Sequence, residues 1–388
     1  MQHEIGCCIY RGGTSRALIL DENKLPPPGE ERDRILIALI GGPDPKQIDG
    51  LGGAAVVSSK VALIKKSALS GIDIDYTFAQ VVVGKNLVDY KANCGNISSA
   101  VGPYAIDSGL VPAEDGVTRV VIRNTNTNKN IVSLVETPGR MVTYDGDFSI
   151  SGVQGTGSKI ELQFLSPGGA ATGSLLPTGN ARDRITVAGL GDVDISVVDA
   201  SNLFIFVKAE DLGLRGNELP DEMDTNANAC IWLETIRGII AQRLGYVDDY
   251  QEAFDKTPSV PKIAIVSAPS TYTTASGVTV AAEDMDLHVF MMSMKKTHKT
   301  FAMTGGMCVA AASVIPGTVV SEIAQQSDRF NPKQITLAHP GGIMDVGVDA
   351  ATLADGSMDV LSTSGFRTAR FLMKGTAFYR QTMKQNEC

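Results

Sequence analysis

The chain of 388 residues carries one Trp, four His and only 6% aromatic residues. Its core must therefore come from aliphatic and small side chains, since hydrophobic residues still reach 43%. Metal-ligand patterns are missing as well. None of the six cysteines (Cys7, Cys8, Cys94, Cys230, Cys308, Cys388) forms a Cys-x-x-Cys pair, and no histidine stands at zinc-ligand spacing from them. The longest apolar run, near residues 307–315, falls well short of the roughly 20 residues that span a bilayer. Basic clusters do not extend beyond pairs such as Lys65-Lys66 and Lys295-Lys296, and 34 Lys+Arg against 43 Asp+Glu leave a net charge of −9. That excludes the usual electrostatic footprint of a nucleic-acid binder. A charged fraction of 20% beside so much apolar residue excludes a disordered chain. Met1-Gln2-His3-Glu4 has no basic flank leading into an apolar signal core, so the expectation is a cytoplasmic protein with neither membrane nor nucleic acid as partner.

Glycine, by contrast, is abundant, with 40 residues punctuating many short apolar runs. Segments rich in Val and Ile and bounded by Gly, Asp, Asn or Pro predict strands near 5–10, 17–20, 56–64, 74–83, 117–123, 131–136, 160–165, 193–198 and 203–207. Later ones fall near 263–267, 287–292, 335–338, 344–348 and 358–362. Helices are fewer. One is predicted over 30–40 and a clearer one over 226–244, where Leu233, Ile236, Ile240 and Leu244 recur at helical spacing. Strands dominate without the regular alternation of a Rossmann sheet, which predicts an α+β protein.

Two further helices resemble each other. One opens after Ala92-Asn93-Cys94-Gly95-Asn96 and runs to Gly109; the other opens after Thr304-Gly305-Gly306 and runs to Pro316-Gly317. Both are short, rich in small residues, opened by a Gly-bearing turn with a cysteine nearby, and followed by a β-like stretch. They lie roughly half the chain apart, which predicts a duplication with one such helix per domain. The expected domains are 1–182, joined by a strand near 375–388, and 183–388.

A helix start offers unpaired N–H groups and about half a positive charge, and glycine there lets a ligand approach the backbone. Each start is thus a ready carboxylate or phosphate site. A thiol at such a position is more readily ionised. Asn93-Cys94-Gly95-Asn96 therefore reads either as a reactive cysteine at an anion-binding helix start or as a capped, buried thiol.

These motifs resemble the diaminopimelate-epimerase fold, and more closely its PrpF branch. The resemblance rests on Arg11-Gly12-Gly13-Thr14-Ser15-Arg16, Gly50-Leu51-Gly52-Gly53, Ser58-Ser59-Lys60, Asn93-Cys94-Gly95-Asn96, His339-Pro340-Gly341-Gly342 and Arg367-Thr368-Ala369-Arg370. It implies two similar domains, each a mixed sheet wrapped around a central helix, with the active site in the cleft between them. It further implies an isomerase that moves the double bond of an unsaturated di- or tricarboxylate such as aconitate, 2-methylaconitate, methylitaconate or 4-oxalomesaconate, using no metal or organic cofactor. The partner would be that small polycarboxylate; the oligomeric state stays open, a homodimer being one arrangement. Two alternatives are an amino-acid epimerase or racemase on the same fold and a non-catalytic accessory to an aconitase-like dehydratase.

By the same resemblance Lys60 and Cys94 form the acid/base pair. A double-bond shift removes a proton beside a conjugated carboxylate and returns one two carbons away, through a dienolate that needs cationic or N–H donors at its oxygens. Expected binding residues are Arg11, Thr14, Ser15, Arg16, Ser59, Asn93, Gly95, Asn96, Arg367 and the start of the second helix, Thr304, Gly305, Gly306 and Met307. Arg11 and Arg16 can offer bidentate forks to carboxylates despite the net negative charge. Arg370 is a further candidate. His339, before Pro340, is either a turn residue or a base; Cys308 either takes part in proton transfer or packs in its helix. Cys7, Cys8 and Cys230 are expected in packing.

Overall fold

The computed structural model describes residues 2–90, 94–258, 260–293, 296–354 and 356–380. The chain forms two compact units, one of residues 1–163 with 366–388 and one of residues 164–365. In chain order the first unit contains β1 (Gln2–Gly12), β2 (Ser15–Asp21), α1 (Glu30–Ile40), β3 (Lys60–Lys66), β4 (Ile74–Val81), the short β5 (Val88–Asp89), α2 (Gly95–Asp107), β6 (Gly116–Asn124) and β7 (Lys129–Thr137). After β8 (Ile160–Leu165) come β9 (Asp183–Val187), β10 (Gly191–Ala200), β11 (Asn202–Lys208), α3 (Pro220–Thr225), α4 (Ala227–Arg243) and α5 (Ala253–Lys256). Next are β12 (Lys262–Ser267), the hairpin β13 (Tyr272–Thr273) and β14 (Thr279–Val280), β15 (Leu287–Ser293) and β16 (Lys296–Thr297). The run closes with α6 (Met303–Val314), α7 (Val319–Ala324), β17 (Gln334–His339), β18 (Gly342–Thr352), β19 (Met358–Arg367) and β20 (Ala369–Arg380).

In the first unit the sheet order is β20-β1-β2-β3-β4-β6-β7. Pairings β2–β3 and β4–β6 are parallel and the others antiparallel. Parallel neighbours need a crossover, and α1 and α2 supply the two. One face of the sheet packs Leu18, Leu20, Leu63 and Val81 against Ile35, Leu36, Leu39 and Ile40 of α1. Each such side chain, wholly buried, stabilises the fold by about 1.5–3 kcal/mol. Gly41, left-handed at φ 95°, ends α1 by donating its N–H to the carbonyl of Ile37. The other face wraps α2, of which Gly95 and residues 97–106 are all buried. That explains the small residues: a Cβ on Gly102 would lie 2.4 Å from the Ser133 hydroxyl.

The second unit repeats the plan. Its order is β9-β10-β11-β12-β15-β17-β18, with β11–β12 and β15–β17 parallel and the other pairings antiparallel. Helix α4 lies in the first parallel crossover and α6 in the second, as α1 and α2 do above. Leu233, Ile236 and Ile240 of α4 pack on Ile195, Ile205 and Ile265, while α6 is buried along nearly its whole length. The duplication suggested by two helix starts thus extends to every strand pairing of the plan.

Three local expectations are corrected. Residues 56–64 are not one strand: a single 3-10 turn at Val56–Ser58 precedes β3, which begins at Lys60. The stretch after Gly317 is helical, because Thr318 caps it by accepting the N–H of Ser321 at 3.0 Å and its apolar side chains are buried. Helix α6 begins at Met303, so Thr304, Gly305 and Gly306 form its first turn rather than a preceding loop.

Candidate active site

Lys60 is the first residue of β3, set between Ala17 of β2 and Gln80 of β4. The residue is only 7% exposed. Its ammonium nitrogen donates to Gln80 Oε1 at 2.8 Å and stands 5.0 Å from the centroid of the Phe78 ring. Gln80 is held in turn: its amide nitrogen donates to the carbonyls of Ser59 at 2.8 Å and Val56 at 3.2 Å. Those carbonyls orient the amide with its oxygen toward Lys60. No carboxylate pairs with Lys60 among the described residues. Ser59, fully buried, donates its hydroxyl to Gln47 Oε1 at 2.9 Å and to the Ala55 carbonyl at 2.8 Å, tying down the glycine-rich 50–55 loop.

Cys94 caps α2 in an extended conformation and is half-buried. Its carbonyl accepts from the Ser98 N–H at 2.9 Å and the Ser98 hydroxyl at 3.1 Å. Gly95 is buried in the first turn; Asn93 lies outside the described residues. The β1–β2 turn closes over this helix start. Asn96 donates its side-chain amide to Thr14 Oγ1 at 2.9 Å. A Cβ on Gly12 would fall 2.5 Å from the Asn96 carbonyl, and one on Gly13 only 2.2 Å from Asn96 Oδ1. Glycine is thus required for the turn to approach the helix this closely.

Arg367, at the end of β19, reaches the same place. Its Nε donates to Asn96 Oδ1 at 3.3 Å and its NH1 to the Phe366 carbonyl at 2.8 Å. It is 8% exposed and has no carboxylate partner among the described residues. Burial alone pushes its guanidinium down to about 10. A buried cation without a carboxylate partner among the described residues, beside the N–H groups of a helix start, has the chemistry to hold an anion.

Strand pairing links these groups. Tyr10, Ala17, Lys60 and Gln80 follow one another across β1 to β4 on the α2 face, with Tyr10 edge-on to Tyr104 of α2 at 6.0 Å. On the same side of β4, two and four residues from Gln80, stand Phe78 and the fully buried Tyr76. The Tyr76 phenol is pushed well above its ordinary value by burial and by the neighbouring Cys94.

Arg11, Arg16 and Arg370 are aligned directly across β20, β1 and β2, one position out of phase with Tyr10 and Ala17. The pleat therefore points them to the face opposite Lys60 and α2. There they line a pocket of about 830 Å³ with the Thr14-Ser15 turn and the 152–156 loop. Neither Lys60 nor Cys94 lines it.

In the second unit, Gly305, Gly306 and Met307 are buried and Thr304 half-buried in the first turn of α6. A Cβ on Gly305 would lie 2.8 Å from the Phe204 ring, and one on Gly306 3.0 Å from Met344 Sδ, so close packing accounts for both glycines. Cys308 is wholly buried and hydrogen-bonds the Val198 carbonyl at 3.3 Å; burial pushes its thiol far up. His339 is buried, and its Nδ1 accepts the Gly341 N–H at 3.0 Å across the turn.

The family model described as PrpF protein matches residues 2–380. The chain belongs to the PrpF family. It is 40% identical over 378 residues to 3-methylitaconate isomerase of Eubacterium barkeri, covering 97% of each chain. It is 36% identical over 387 residues to 2-methyl-aconitate isomerase of Shewanella oneidensis, covering 96% of each. The crystal structure of a methylitaconate-delta-isomerase matches with a TM-score of 0.88 at 40% identity, covering 97% of this chain and 96% of that one. A hydroxyproline epimerase from Agrobacterium vitis shares the fold alone, with a TM-score of 0.51 at 12% identity over 97% of this chain and 92% of that one. The two-unit α+β fold expected from the motifs holds, and this PrpF-family chain is an isomerase.

Sequence reasoning missed Gln80, Phe78 and Tyr76. None sits in a recognisable motif; they meet Lys60 and Cys94 only through β3–β4 pairing and the packing of α2. The one available signal was alternation in residues 76–80, which puts three polar or aromatic groups on one side of a strand.

Proposed function

We propose that this isomerase shifts the carbon–carbon double bond of an unsaturated di- or tricarboxylate by a 1,3-proton transfer, with Lys60 and Cys94 as the acid/base pair. The observation that carries the reading is the state of Lys60: buried, facing α2, and partnered by a neutral amide and an aromatic ring instead of a carboxylate. With no carboxylate partner among the described residues, the Lys60 amine is left to face a bound substrate. Cys94, at the mouth of α2, supplies the second proton-transfer group.

Deprotonation beside a carboxylate builds negative charge on its oxygens. Arg367, the first-turn N–H groups from Gly95 and Asn96, and the Thr14 hydroxyl form the positive, donor-rich surface that would hold such an oxyanion. The relatives named for 3-methylitaconate and 2-methylaconitate act on compounds of this class. The two-thiol epimerase alternative gains no support, since Cys308 is sealed against Val198.

The test is turnover of a panel of methylitaconate, 2-methylaconitate, the aconitates and 4-oxalomesaconate, followed by ultraviolet absorbance and proton NMR. The reading requires the double bond of at least one to migrate, with deuterium from heavy water entering the carbon that gains hydrogen. Conversion that Lys60→Met and Cys94→Ala both leave at wild-type rate would overturn the assignment of roles.

A further inference from the structure

We propose that Tyr76 is a positioning residue for Cys94: its buried hydroxyl donates a hydrogen bond to the sulfur when the thiol has lost its proton. The inference rests on the proton-transfer role proposed for Cys94 and adds the group that holds the charge left behind there. Three observations carry it.

First, Tyr76 is fully buried, and its hydroxyl has no hydrogen-bond partner among the described residues. An unpaired buried donor costs stability, so such a group calls for an explanation. Tyr10, equally buried, shows the ordinary arrangement, donating to Asp107 at 2.8 Å.

Second, the hydroxyl is aimed at the start of α2. Ala79 and Val81 pack on the α1 side of the sheet, so the pleat turns Tyr76, Phe78 and Gln80 toward α2. The polar groups beside the Tyr76 phenol are Cys94 and Ser98. Ser98 directs its own hydroxyl to the Cys94 carbonyl at 3.1 Å, which leaves the sulfur as the acceptor for the phenol.

Third, the phenol is a fixed donor. Burial and the neighbouring Cys94 push it well above its ordinary value, so it does not compete as a base. When Cys94 gives its S–H proton to a substrate carbon, both bonding electrons stay on the sulfur. Tyr76 keeps its own proton and stabilises that charge through the hydrogen bond alone, which favours the charged form of its acceptor.

The experiment uses Tyr76→Phe, which keeps the ring and removes only the hydroxyl. Alkylation of Cys94 by iodoacetamide is followed against pH by mass spectrometry of the digested protein, without substrate. Its midpoint should lie about one pH unit higher in Tyr76→Phe than in wild type. Tyr104→Phe, which removes another largely buried phenol from α2 itself, should leave the midpoint in place. The cations Lys60 and Arg367 are the same in both variants, so the difference reads the hydroxyl. The melting temperature of Tyr76→Phe should hold or rise, because an unpaired buried hydroxyl is lost. Its kcat for the active polycarboxylate should fall about tenfold with KM unchanged. An unmoved midpoint in Tyr76→Phe overturns the proposal, as does an equal shift in Tyr104→Phe. The alkylation is read without turnover, so the two readings fail separately: a raised midpoint in Tyr76→Phe, beside full activity in Cys94→Ala, upholds the hydrogen bond and overturns only the proton-transfer role of Cys94.

Discussion

Lys60 and Gln80 face each other across the β3–β4 ladder, and the amine meets the amide oxygen at 2.8 Å. A carboxylate in the same position would attract the ammonium with a strength that a neutral amide does not have. Gln80→Glu should therefore move the rise of kcat/KM with pH to more alkaline values, while Gln80→Leu should lower kcat without any such move. Lys60→Met should cost at least about 100-fold in kcat. An unmoved pH profile in Gln80→Glu, in an enzyme that Lys60→Met inactivates, would refute the role of Gln80 and leave that of Lys60 standing.

Cys94 makes a second case. Its sulfur sits on a half-buried cap at the open end of α2, whereas Cys308 is sealed and Cys7 is buried. Iodoacetamide should modify Cys94 well ahead of Cys308 or Cys7, and a bound polycarboxylate should slow that reaction. Inactivation should track the alkylation of Cys94, measured by mass spectrometry of the digested protein. Full activity after stoichiometric modification would remove the thiol from the mechanism.

Local signals were enough for α1, α4 and the Arg11–Arg16 hairpin, because helical spacing, a terminal Gly41 and a Gly-Gly turn all act over a few residues. The start of α2 was readable for the same reason. Where long-range packing decides, the reading failed. Val319 and Val320 look like strand residues, yet the Thr318 cap and a buried apolar side make them helical. Local sequence also hides the face that a strand residue takes: Arg11 and Lys60 are out of phase across β1 to β3, so the pleat points them to opposite faces of the sheet.

The wrapping of α2 gives a stability prediction. Gly102→Ala would press its Cβ to 2.4 Å from Ser133 Oγ and 3.0 Å from Val135 Cγ2. Overpacking of this kind costs about 1–3 kcal/mol, or about 2–4 °C of melting temperature per kcal/mol for a unit of this size. Because the buried Ser133 hydroxyl has no hydrogen-bond partner among the described residues, Ser133→Ala in the same chain should recover part of the loss. Scanning calorimetry of both single variants and the double variant measures the coupling.

The second unit should be acid-sensitive. His288 and His298 are largely enclosed, and burial lowers both imidazoles below their ordinary value of 6.5. The unfolded chain then takes up protons that the folded chain refuses. Above about pH 7 both forms are neutral and nothing is gained or lost; as pH falls below 6.5, protonation favours unfolding. The melting temperature should decline between about pH 7 and pH 5, before the carboxylates Asp194 and Glu322, which their basic partners hold low, begin to titrate. His298→Gln should flatten part of that slope. A level profile across the window would show that the two imidazoles protonate alike in both states.

Arg367 offers the sharpest separation of binding from stability. A structural arginine is normally paired, and its removal destabilises the fold. Arg367 is buried with one long hydrogen bond to Asn96 and one to its neighbour's carbonyl, so its desolvation is poorly offset. Arg367→Gln should therefore leave the melting temperature of the free protein unchanged or raise it. The same substitution removes the cation proposed to receive a substrate carboxylate, and charged hydrogen bonds of this kind contribute about 1.5–3 kcal/mol. KM for the active polycarboxylate should rise about 10- to 100-fold, and the thermal stabilisation by that ligand should shrink with it. Arg367→Lys should restore only part of the binding, because an ammonium cannot reproduce the bidentate fork. A variant that melts several degrees lower yet binds substrate normally would place Arg367 in the scaffold and require another cation at the start of α2.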